Sequence, residues 1–343
     1  MIGYEIRGAV RSDEEELFRL APFLNSVNLP NEQGHIHRLL DVSERSFSGA
    51  LDNPRRRKYV FLLRDLERNV AVGTSMIVAQ LGRRDAPYIY LDVIPEEKYS
   101  SRLDKHFQHT VLRMGFSYDG PTEIGGLVVA PEHRRASEKL GLLISYVRFL
   151  YIATHRELFR NEILAELLPP LEPDGTSHLW EAFGRRFTGI SYAEADLLSS
   201  EDKAFVRDLF PSGNVYASLL SQDAQGVIGK VGSQTRGVER MLSRIGFRYA
   251  ERIDPFDGGP HFVAAADEIS LVQETFVARV TDVREVEPSK PRALVGRDLA
   301  KAPYFRAVCT NIEHDKKTLV MGPASLQALE LEAGAEVFVL PLP

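Results

Sequence analysis

The chain has a single cysteine, Cys309, in 343 residues, so it can form no internal disulfide and no multi-cysteine zinc or iron–sulfur site, and a reducing cytoplasm suits it best. It has no excess of positive charge. Its 42 Lys+Arg stand against 48 Asp+Glu, a net charge of −6, which builds in no global attraction to nucleic acid or to an anionic membrane. Long apolar runs are missing too. The most apolar stretch, Leu140 to Tyr151, has Lys139 beside it and Arg148 within it, and nothing approaches the roughly 20 residues that a membrane span needs. Acids from Asp13 to Glu16 likewise interrupt any apolar region of a signal peptide. Internal repeats at a fixed period and low-complexity tracts are absent, and the basic runs carry no interleaved aromatics, so neither a solenoid nor a nucleic-acid surface is expected.

The composition is that of an ordinary globular protein, with 44% hydrophobic and 26% charged residues. The length predicts about two domains. Strands are expected at Tyr4 to Val10, Lys58 to Arg64 and Ala71 to Leu81, the last two forming an antiparallel hairpin across the polar turn Asp65 to Asn69. Two amphipathic helices, Glu14 to Leu24 and His35 to Phe47, lie between the first strand and this hairpin. A further strand, Glu123 to Ala130, stops at Pro131. A largely buried helix follows it, with Ser137 as its expected N-cap and its end near His155. Next come a strand from Ile163 to Leu168 and a helix from Ser233 to Arg244 closed by Gly246. Strands at Arg248 to Ile253 and His261 to Ala266 are joined by the turn-forming string Asp254-Pro255-Phe256-Asp257-Gly258-Gly259-Pro260. The tail is read as a small β-rich domain over 281–343, appended to a main domain over 1–280.

The loop Glu132-His133-Arg134-Arg135 between a strand and a buried helix is suited to phosphate, because free amides at a helix N-terminus and two guanidinium groups favour an anion. Solvated loop arginines are the plainer alternative. The glycine spacing of a nucleotide loop is missing, with only Gly141 near the helix start.

With the order of elements, this loop resembles the acetyltransferase-type acyl-CoA fold, GNAT-like, an α+β architecture with a mixed, mostly antiparallel sheet flanked by helices. More narrowly, the chain resembles the arginine N-succinyltransferase family. The residues that carry the resemblance are Asn28-Leu29-Pro30, Val60 to Asp65 leading to Val72 to Ile77, the strand Glu123 to Pro131, Leu220 to Gln225 with Ile228-Gly229, and Ile253 to Pro260, nearly the family's IDIFDGGP string. The resemblance implies transfer of a succinyl group from succinyl-CoA to the α-amine of L-arginine. Acyl-CoA would be a co-substrate, with no permanently bound cofactor. It places oxyanion donors around Gly126, Leu127 and Val128, the succinyl-CoA contact at Leu127, and the CoA pyrophosphate at Arg134, Arg135 and the helix beginning near Gly141.

The family's histidine proton donor lies in a GQVHPQT segment that reads Gly229-Lys230-Val231-Gly232-Ser233-Gln234-Thr235 here. Gly232 cannot move a proton. Glu123 and His261 are the candidate substitutes; a salt bridge for Glu123 and a structural hydrogen bond for His261 are the plainer roles. Asp254 and Asp257 are candidates to hold the substrate guanidinium, against the alternative that Asp257 caps a turn. Transfer to another amine from another donor, or a non-catalytic paralogue, are the alternatives that Gly232 raises. The pairs His35/His37 and His106/His109 lack a third ligand at fixed spacing, so no metal is expected. The expected partners are small molecules, with no nucleic acid and no membrane; the apolar helix and the tail also suit a homo- or hetero-oligomer.

Overall fold

A computed structural model describes residues 2–24, 29, 31–84, 86–201 and 203–343; Asn28 and Pro30 of the family marks lie outside them. The chain forms two compact units, one of Met1–Gln80, Ile124–Asn161 and Ala266–Pro343, the other of Leu81–Glu123 and Glu162–Ala265. Among the described residues no helix is long and apolar enough to cross a membrane.

The first unit is built on the expected hairpin, Lys58–Asp65 against Val70–Val78, nearly every residue of which is buried. Tyr4–Gly8 pairs antiparallel with Lys58–Asp65 on one side and with Phe305–His314 on the other. That second pairing corrects the expected boundary at 280/281. The tail hydrogen-bonds to the first strand of the chain, and residue 281 falls inside the strand Phe276–Val283, so the β-rich segment belongs to the N-terminal unit. It keeps its own apolar cluster, including Val280, Val295, Ile312 and Val339. The helix Leu140–Thr154 is buried along most of its length, as its sequence predicts. Its start is corrected. Ser137 spends its hydroxyl on Glu138, and the position before the helix is Lys139, in left-handed backbone at φ 58°.

The second unit contains a long hairpin that periodicity does not reveal, Tyr88–Ser100 against Lys105–Ser117. His106 and His109 therefore lie on a strand. Arg248–Ile253 and Pro260–Ala265 pair antiparallel, and Pro260–Ala265 pairs in turn with Glu162–Glu166. Between these elements lies a core of Trp180, Phe183, Phe210, Ile253 and Phe256. Trp180 and Phe256 stack at 5.3 Å and 9°, and Ser177 Oγ donates to the Phe256 carbonyl at 3.0 Å. Stacking and hydrogen bond together pin the Asp254–Gly259 turn to the core. Most strand pairings within the units are antiparallel, while Phe276–Val283 with Thr318–Met321 and Thr122–Val129 with Glu162–Glu166 are parallel.

Candidate active site

The second unit gathers carboxylates around one histidine. Glu123 is the second residue of the strand Thr122–Val129, is 6% exposed, and stands in register with Leu164 two residues before Glu166. In the antiparallel neighbour His261 stands opposite Glu166. The pleat therefore brings together residues far apart in sequence. Potential ligand atoms of Glu166, Asp254 and His261 lie within 4.8 Å of one another, a nest sized for a cation.

His261 is fully buried, with Nδ1 2.9 Å from the Tyr88 hydroxyl and Nε2 3.5 Å from Glu166 Oε1. Among the described residues Nε2 has no hydrogen-bond partner. Burial, helped by the charges of Lys203 and Arg252, pulls the imidazole down to about 3, so it stays neutral at physiological pH and is a weak base there. Glu166 moves the other way: the dense surroundings of its carboxyl and the charges of Glu123 and Asp254 raise it above the usual range, although 31% of the side-chain surface stays open to solvent, which screens the effect. Burial also raises Asp254, against the pull of Lys203 and of the Phe256 and Asp257 amides, and raises Asp196 to about 7. Lys203 faces this cluster as a positive neighbour that Glu166, Asp254 and Asp196 share, and Arg252 adds its charge at His261.

Asp254 and Asp257 also build their turn. Asp254 Oδ1 accepts from the Phe256 and Asp257 amides at 2.6 and 3.2 Å, while Asp257 Oδ1 accepts from the Gly259 amide at 2.7 Å and is 7% exposed. Asp257 is thus the turn cap of the plainer reading. Asp254 also offers a carboxylate oxygen to the nest.

Gly232 is buried, and its amide donates to the Leu168 carbonyl at 2.9 Å. A Cβ there would lie 2.6 Å from the Pro169 carbonyl oxygen. The neighbouring Gly229, Lys230 and Val231 line a cleft of about 610 Å³ with Tyr249 and Phe262. The Tyr249 hydroxyl is buried without a partner among the described residues, and burial, with the Glu251 charge, pushes it up to about 12.

In the first unit, Gly126 takes φ 59° inside its strand, a left-handed backbone that glycine allows, where the oxyanion donors are expected. Leu127 and Val128 continue the strand. Arg134 Nε donates to the Val129 carbonyl at 2.9 Å and Arg135 is exposed, both in the loop before the helix; Gly141 lies one residue into it, 4.0 Å from Val129 at its would-be Cβ. Cys309 is half-buried beside Arg292, and burial raises its thiol, which does not suit a nucleophile. Sequence reasoning missed Glu166, Tyr88, Lys203 and Tyr249. The signal for Glu166 is its place opposite His261, which only strand pairing shows.

The neutral imidazole predicts a pH effect. Its folded value lies below the ordinary 6.5, so its stabilising contribution is complete above 6.5 and is lost as pH falls toward 3. The destabilisation caused by His261→Asn should therefore shrink by about 2 kcal/mol between about pH 7.5 and pH 5, the neighbouring carboxylates being common to both proteins. Urea denaturation of both proteins at both pH values checks it; a constant difference would contradict a buried neutral ring.

A profile of the family described as arginine N-succinyltransferase beta subunit matches residues 4–271. The arginine N-succinyltransferase of Yersinia pestis is 30% identical over 347 residues, covering 98% of this chain and 97% of that protein. That of Escherichia coli O6:K15:H31 is 30% identical over 335 residues, covering 97% and 96%. Among solved structures, subunit AI of the arginine/ornithine succinyltransferase from Pseudomonas aeruginosa matches with a TM-score of 0.84 at 25% identity, covering 99% of each chain.

Proposed function

The chain belongs to the arginine N-succinyltransferase family, and from that premise we propose that it moves a succinyl group from succinyl-CoA to the α-amine of L-arginine, in a GNAT-like fold. The observation that carries the acceptor side is the nest of Glu166, Asp254 and His261. A planar guanidinium offers five donors in a fixed fork, and this nest offers carboxylate oxygens of Glu166 and Asp254 beside the His261 Nε2 that has no partner among the described residues. Asp257 supports the site through the turn that holds Asp254.

The chemistry assigns the remaining roles. The α-amine must lose a proton before or during attack, and Glu123, a buried carboxylate beside this nest, is the base. The amine nitrogen bonds to the thioester carbon, giving an oxyanion that backbone amides around Gly126, Leu127 and Val128 stabilise. The C–S bond then breaks, the electron pair leaves on the CoA thiolate, and the proton taken from the amine returns to that sulfur. The loop with Arg134 and Arg135 and the helix start near Gly141 hold the CoA pyrophosphate. His261 does not carry the proton; it is a hydrogen-bonding group of the acceptor pocket. A CoA thioester and a lone half-buried thiol both suit the cytoplasm.

The test is release of free CoA from succinyl-CoA or acetyl-CoA with L-arginine or L-ornithine, in the parent and in Glu166→Gln. The parent should turn over succinyl-CoA with arginine fastest. Glu166→Gln removes one charge-assisted hydrogen-bond acceptor and should raise KM for arginine about 10- to 100-fold. It should also make the unliganded protein more stable to urea, because one of several mutually repelling carboxylates is gone. An unchanged KM would remove Glu166 from the acceptor pocket.

A further inference from the structure

Among the described residues Arg148 is a buried cation without an anion. It lies in the helix Leu140–Thr154 and is 2% exposed. Its Nε donates to the Ser145 carbonyl at 3.0 Å, Nη2 to Ser145 Oγ at 2.7 Å, and Nη1 reaches the Gly125 carbonyl at 3.4 Å. All three acceptors are neutral. Among the described residues no carboxylate pairs with it or raises it, and burial alone pulls the guanidinium down to about 9. Arginine is almost never fully buried unless paired, because taking an uncompensated charge out of water is costly. Of its five N–H donors, three are spent on these acceptors.

We propose that Arg148 receives the free carboxylate of a dicarboxylic acyl-CoA and so selects a succinyl over an acetyl donor. The placement favours this. Gly125, whose carbonyl Arg148 reaches, directly precedes Gly126, where the backbone turns to φ 59° and the thioester carbonyl is expected to sit. In a succinyl thioester two methylene carbons separate that carbonyl from the carboxylate, which at about 1.5 Å per bond lies about 4 Å beyond it. An acetyl group ends short of this point and leaves the guanidinium unpaired. A carboxylate meets the guanidinium fork bidentately and removes the charge imbalance that the unliganded helix carries.

The inference rests on the acyl-CoA reading, and binding separates the two. The affinities of the full chain for succinyl-CoA and acetyl-CoA are measured by calorimetry, without acceptor, for the parent and for Arg148→Met. The parent should prefer succinyl-CoA about 10- to 100-fold, and the variant should hold the two donors within about threefold of one another. Arg148→Met should fold at least as stably as the parent, since it removes an uncompensated buried charge, and a purely structural arginine would show the reverse. Should the methionine variant not fold, Arg148→Lys keeps the charge without the fork and should lose about tenfold of the preference. A parent without preference, or a variant that keeps it, overturns the proposal. A preference that disappears in the variant, in a protein that never transfers an acyl group to any amine, leaves the carboxylate site standing and refutes the catalytic reading.

Discussion

Glu123→Gln is expected to lower kcat for succinyl transfer about 10²- to 10⁴-fold while leaving KM for arginine within about threefold. The substitution keeps the shape of the side chain and removes only its capacity to take a proton. Its site tolerates an amide: Glu123 is 6% exposed and neighbours Glu166 and Asp254, so removing one negative charge relieves repulsion and should not unfold the unit. The contrast with Glu166→Gln is diagnostic. One variant should act on kcat and the other on KM, because Glu123 is assigned to proton transfer and Glu166 to holding the acceptor. Steady-state kinetics on both, with urea denaturation as the control for folding, checks the division. A Glu123→Gln enzyme with kcat within threefold of the parent would move the base elsewhere, with the buried Tyr249 hydroxyl and water as the next groups to test.

Gly232→His is expected to destabilise the protein by about 2–4 kcal/mol and to restore no activity. The family carries histidine at this position, so the simple expectation is a gain. The packing says otherwise. A Cβ at Gly232 would lie 2.6 Å from the Pro169 oxygen, 2.9 Å from the Pro169 carbonyl carbon and 3.0 Å from the Leu168 oxygen, and these are backbone atoms that no rotamer change moves. Leu168 is fixed there by two hydrogen bonds, from the Gly232 amide and the Thr235 hydroxyl, each 2.9 Å. Inserting an imidazole therefore separates the 168–169 segment from the 232–235 segment and strands the Leu168 carbonyl. Glycine here is part of how this chain closes its backbone. Urea denaturation and kcat measured side by side decide the matter. A stable histidine variant with kcat raised tenfold or more would mean that the position opens onto the substrate and that the parent has lost its acid–base group.

The sequence is readable where local chemistry decides the structure. The hairpin Lys58–Asp65 with Val70–Val78 announced itself through two apolar β-runs around a polar turn, and Gly246, at φ 111°, ends its helix with the Phe247 amide donating back to Leu242. The Asp254 to Pro260 string was legible as a turn because Asp and Gly do there what their side chains and backbone freedom allow. The hairpin Tyr88–Ser100 with Lys105–Ser117 was not, since its far half is exposed on both faces and the alternation that marks a half-buried strand is missing. The helix start was misplaced because Lys139 adopts a left-handed backbone that a lysine rarely takes, while Ser137 has the chemistry of a cap without its position.

The acceptor nest was half legible. Asp254 and Glu123 stood out by residue type, but Glu166 gains its meaning from His261 across a strand pair and Tyr88 from an unseen hairpin, and neither relation has a local signal. Arg148 carries the same lesson in reverse. In the sequence it reads as a charge that interrupts an apolar run, and the fold buries it instead at the carbonyl of Gly125.

The most direct test of the account is the identity of the product made by the unmodified protein, with its glycine at position 232, from succinyl-CoA and L-arginine. Mass spectrometry with fragmentation should find arginine succinylated on the α-nitrogen, in amounts equal to the CoA released. No acylated product from any pairing of succinyl-CoA or acetyl-CoA with arginine or ornithine, in a folded protein, would contradict it.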